Sequence, residues 1–60
     1  MDTLEKAIEA AYSDELTILY RTLSKALLTT KDDQAAQEKF KKGLAHALKV
    51  RNLARASAGL

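Results

Sequence analysis

Apolar side chains recur along the first half of this chain at steps of three and four residues. Leu4, Ile8, Ala11/Tyr12, Leu16, Leu19, Leu23 and Ala26/Leu27 fall on one broad stripe when wound at the helical period. Asp2 is a good N-cap for such a helix, and Glu5, three residues on, completes the pattern of a capping box. Ser13-Asp14-Glu15 is also a helix-start pattern. Ile8 and Tyr12 nevertheless stay in phase with Leu16 and Leu19, so the spacing predicts one helix over about residues 3–29. A kink near Ser13 is the alternative.

The pattern then stops. Thr29-Thr30-Lys31-Asp32-Asp33 has no apolar residue and suits a turn at about 29–32, with Thr30 as the expected cap of a second helix over about 32–56. The second stripe reads Ala36, Phe40, Gly43, Ala47, Val50 and Ala54, spaced 4, 3, 4, 3 and 4, as in a heptad seam. Leu44 and Leu48 widen it on one side and Leu53 on the other. Residues 57–60 are expected to fray. The chain holds no proline, and its two glycines, Gly43 and Gly59, leave both helical stretches otherwise uninterrupted.

Two long helices with a connection this short must lie antiparallel as neighbours. The expected fold class is therefore all-α, an antiparallel two-helix hairpin in a single domain. Its apolar arcs are too wide for one partner. At about 100° per residue, the second stripe with its flanking leucines spans roughly 200°, whereas a coiled-coil pair needs a narrow seam. Each fully buried large side chain contributes about 1.5–3 kcal/mol. Half a dozen leucines per chain thus favour a homodimer that closes into a four-helix bundle, or a higher helical oligomer. The expected contacts are Leu16, Leu19, Leu23, Phe40, Gly43, Leu44, Ala47, Leu48 and Val50. In outline this is similar to the small antiparallel hairpins that dimerise into four-helix bundles, the Rop family of plasmid RNA-binding repressors among them. The likeness is one of architecture, with no shared motif.

Composition supports association over chemistry. Sixty residues lie near the lower limit for an independent core, and there is no cysteine to supply a disulfide or a thiolate metal site. Alanine provides 11 of the apolar residues, which favours helix but gives little core volume. No apolar run approaches the roughly 20 residues of a membrane span. The first residues lack the pattern of a secretory signal, so the expected location is cytoplasmic.

Charge divides unevenly: residues 1–33 carry a net −3 and residues 34–60 a net +5. Folding back at the turn sets Glu5, Glu9 and Asp14 near Lys49, Arg51 and Arg55. It also sets Arg21 and Lys25 near Asp32, Asp33 and Glu38. Exposed pairs contribute about 0–1 kcal/mol each, so charge selects orientation more than it stabilises.

Several residues have a bland and a sharper reading. Gly43 and Ala47, small and central in the second seam, suit a close helix approach; a ligand groove is the alternative. Glu15 projects near the first stripe, either as an edge residue reaching water or as a buried carboxylate paired with Arg51 or His46. His46 flanks the second seam as a boundary residue. A metal or cofactor site on Glu15 and His46 would need further ligands, and no cofactor or metal is expected. Tyr12 and Tyr20 are expected to pack their rings while their hydroxyls reach water. Lys39, Lys41, Lys42, Lys49, Arg51 and Arg55 form a solvated basic face or, alternatively, a phosphate-binding one. No glycine-rich phosphate loop, metalloprotease motif or nucleophile elbow occurs. The leading expectation is a non-catalytic interaction module that self-associates and binds a protein partner through its helix faces. The alternative is a small RNA- or DNA-binding regulator that uses the basic residues.

Overall fold

A computed structural model describes residues 2–60. It contains two helices, α1 (Thr3–Thr29) and α2 (Asp33–Ser57), folded back on each other as a hairpin. Helix α1 opens on Asp2, whose carboxylate accepts the Leu4 N–H at 3.0 Å. Glu5 does not turn back towards that cap; its carboxylate lies 3.1 Å from Arg55 of α2. Ser13 leaves α1 unbroken. Its carbonyl accepts a hydrogen bond from the Thr17 hydroxyl, and Ile18 and Lys25 carbonyls receive Thr22 and Thr29 in the same way. Bonding back to the preceding turn satisfies these hydroxyls without ending the helix.

The connection corrects one expectation. Thr30 does not cap α2; it sits in extended conformation at the end of α1, its N–H donating to the Ala26 carbonyl at 2.9 Å. Its hydroxyl accepts the Asp32 N–H, and Asp32 becomes the N-cap by accepting from the Ala35 N–H at 3.0 Å. Aspartate is the stronger cap, and its negative charge suits the positive end of the helix.

Residues 57–60, expected to fray, hold a hydrogen-bonded turn. Gly59 adopts φ +78°, and the Leu60 and Gly59 N–H groups donate to the Arg55 and Ala56 carbonyls at 2.9 and 3.1 Å. This is a Schellman closure, which needs a left-handed residue that glycine adopts without a Cβ penalty.

Between the helices, Ile8, Tyr12, Leu16, Leu19, Leu23 and Ala26 of α1 face Ala36, Phe40, Gly43, Leu44, Ala47 and Ala54 of α2. The approach is closest at Gly43, where a Cβ would stand 2.5 Å from Leu19 Cδ2. Val50 does not join this seam: it is half exposed, and Arg51 takes the position. A helix of 3.6 residues per turn drifts against a strict heptad, so the step after Ala47 is four residues rather than three.

The hairpin encloses very little. Among the described residues only Ala36 and Ala47 are buried, at 7% and 5% exposure, and no large side chain is fully enclosed. The Cα radius of gyration is 14.0 Å, against about 10 Å for a compact chain of this length. The accessible surface is 4813 Å², whereas a compact folded protein of this mass exposes about 3,900 Å². Among the described residues no helix is long and apolar enough to cross a membrane.

Candidate interaction surface

One face of the hairpin is furrowed. Ile8, Ala11, Tyr12 and Glu15 of α1 and His46, Ala47, Val50, Arg51 and Ala54 of α2 line a groove of ≈ 360 Å³ towards the end that carries the termini. Nearer the turn a shallower hollow of ≈ 70 Å³ is bounded by Leu19, Thr22, Leu23, Ala26, Ala36, Lys39 and Phe40. Both lie on the same face. Thr22 follows Glu15, and His46 follows Lys39, by seven residues, two helical turns along one flank.

One residue of this lining, Arg51, carries the charged contact between the helices. Arg51 forms a bidentate contact with Glu9, Nε donating to Oε2 at 2.9 Å and Nη2 to Oε1 at 2.7 Å. Arg55 reaches Glu5 at 3.1 Å and Glu9 at 3.7 Å, which joins four side chains into a ladder across the helices. The Arg51 guanidinium also lies 5.7 Å from the centre of the Tyr12 ring, within cation–π range. Its remaining nitrogen donates to Asn52. The fork geometry of guanidinium and carboxylate makes this the strongest class of charged contact. Its first effect on Glu9 is the Arg51 hydrogen bond, which holds the carboxyl below its ordinary value; the charges of Arg51 and Arg55 act in the same direction, against partial desolvation. Arg51 is correspondingly raised, again first by the bond to Glu9.

The expected contact residues thus divide. Leu16, Leu19, Leu23, Phe40, Gly43, Leu44 and Ala47 turn towards the opposite helix of the same chain, while Leu48 and Val50 stand open on its two flanks. Glu15 is exposed and borders the groove opposite His46, also exposed; Arg51, one of its two expected partners, is engaged by Glu9. Among the described residues no three or more His, Asp or Glu side chains gather as a metal-binding group.

Of the six basic residues, Arg51 and Arg55 are committed to the ladder, and Lys41 lies 3.7 Å from Glu38 on its own helix. Of the other three, Lys39 borders the turn-end hollow, and Lys42 and Lys49, seven residues apart, lie on the outer side of α2. The ion pairs expected between Arg21 or Lys25 and the acids around the turn do not occur within 4.0 Å among the described residues.

The seam position of Arg51 had a signal in the sequence. Arg51 follows Leu44 by seven residues and Glu9 precedes Leu16 by seven, so both charges stand where the heptad calls for apolar seam residues. Two opposite charges at seam positions of antiparallel helices mark a cross-helix pair. The chain matches no family model, no curated protein and no solved structure.

Proposed function

We propose that this protein is a non-catalytic interaction module that self-associates through its helix faces, as a homodimeric four-helix bundle, and presents helical surface to a protein partner. The observation that carries the reading is the surface excess. Each chain exposes about 900 Å² more than a compact protein of its mass. Two copies that removed this excess would bury about 1,800 Å² together, within the range of stable specific interfaces. Leu4, Ile18, Val50 and Leu53 are among the large apolar side chains that this surface exposes, with Tyr20, Leu28 and Leu48.

A binding role also fits the chemistry of the groove. Its unengaged polar groups, Glu15 and His46, are solvent-exposed on an open furrow, where water screens any charge interaction. Such a surface suits docking of a helix, which brings its own side chains to fill the furrow. Sedimentation equilibrium on the unmodified chain tests the self-association. The expected result is a mass of two chains across the micromolar range. A folded, helical monomer throughout that range overturns it.

A further inference from the structure

We infer that the grooved face is where a second copy of this chain docks, with α1 of each copy lying on α2 of the other and both turns at the same end. The inference rests on the self-association proposed above and specifies which surface and which orientation. Beside the seam that joins its own two helices, each helix carries a second seam on the grooved face. On α1 it reads Leu4, Ile8, Ala11, Glu15, Ile18 and Thr22, spaced 4, 3, 4, 3 and 4. On α2 it reads Lys39, Gly43, His46, Val50, Leu53 and Ser57, with the same spacing. Two adjacent seams on one helix are the signature of a bundle helix that touches two neighbours. The opposite face repeats the spacing with fewer apolar residues. There Lys6, Ser13, Thr17 and Ser24 surround Tyr20 and Leu27, and Gln37, Lys41 and Asn52 surround Leu48.

Charge and size then choose the orientation. Contacts within the hairpin fix which residues lie level: Glu9 with Arg51, Glu5 with Arg55 and Leu19 with Gly43. If the two-fold axis runs along the helices, α1 lies on α2 of the second copy with these levels kept. Ile8 then meets Leu53, Ala11 meets Val50, Glu15 meets His46 and Ile18 meets Gly43 of the second copy. Ile18 then faces a glycine and Val50 an alanine, Ile8 and Leu53 meet as two large side chains, and the carboxylate faces a group able to donate to it. If the axis instead crosses the helices, α1 lies on α1 and α2 on α2. Glu15 then approaches its own counterpart, and two α2 helices come together. Each α2 carries six bases against Asp33 and Glu38, a net +4, whereas α1 carries a net −1. Like charges across an interface disfavour that pairing.

The test has two arms. Leu53→Glu places a charge on a side chain already 58% exposed in the single chain, so the hairpin keeps its helicity by circular dichroism. The inference expects that variant to sediment as a monomer, while Leu48→Glu on the opposite face stays dimeric. For orientation, Lys31→Cys introduces a unique thiol at the turn, because the chain has no cysteine. A short bismaleimide should join two such chains, since the turns stand side by side. In the other orientation most of the 44 Å hairpin length separates them, and only a mixture of Lys31→Cys with Ser57→Cys chains would crosslink. A dimer that survives Leu53→Glu, or whose Lys31→Cys form gives no crosslink, overturns the inference and leaves self-association standing. A monomeric unmodified chain overturns self-association itself.

Discussion

The two halves of the hairpin use the same seam positions for different chemistry. Near the turn, Leu19, Leu23, Ala36, Phe40 and Gly43 make a hydrocarbon contact, closest at Gly43, where an added Cβ would press on the end of the Leu19 side chain. Near the termini, Glu5 and Glu9 meet Arg51 and Arg55, and the helices are held partly by forked ion pairs on half-exposed side chains. The difference shows that a heptad position asks for mutual fit rather than for grease. A charge satisfies it when the opposing helix supplies the counter-charge at the same level. The turn half should therefore respond to volume, and the open half to salt and acid.

The largest effect is expected from Gly43→Leu. Leucine restores helix propensity by about 0.8 kcal/mol relative to glycine, but its side chain would enter the space of Leu19. Overpacking of this kind costs about 1–3 kcal/mol, so the net change in thermal melting should be a clear loss. An unchanged melting temperature would show that the turn half is not closely packed. Gly43→Ala separates the two effects: Leu19 borders the hollow on the grooved face and can rotate there, so this variant should melt close to the unmodified protein.

Asp32→Ala should come next, losing about 1 kcal/mol with the cap of α2. Thr30→Ala should lose less, because the Thr30 hydroxyl ties only the Asp32 N–H. Equal losses for the two would assign the capping role wrongly.

Glu9→Gln is expected to have a smaller effect at neutral pH, one that shrinks in high salt, since the contact is partly exposed. Its pH dependence has a definite sign. The folded Glu9 carboxyl titrates below its ordinary value of 4.5, so its stabilising contribution is present above that value and is lost as pH falls through the lowered one. Melting curves of the two proteins should converge in acid. A gap that persists at the lowest pH would mean that Glu9 acts through packing. The least effect belongs to Lys41→Ala, whose pair with Glu38 is exposed on a single helix turn; no measurable change in melting is expected.

The helices and the hairpin were legible because the apolar period, the absence of proline and the polar turn all agree. What the sequence left ambiguous were places where two residues compete for one role. Thr30 and Asp32 both carry cap-forming oxygens, and only the fold shows that the Asp32 carboxylate is the one that accepts a helix N–H, from Ala35. Val50 and Arg51 are adjacent candidates for one seam position, and the cross-helix level of Glu9 selects the arginine. The closure at Gly59 depends on carbonyls already freed by the end of α2, a condition that composition alone does not reveal.

A helix pair bent back on itself delivers both chain ends to one pole of a 44 Å rod. Anything joined to residue 2 or residue 60 would be carried at that pole, while the three-residue bend stays free at the other. The molecule therefore has a handle and a tip, and a tether at either terminus would pull on the ion-paired end first.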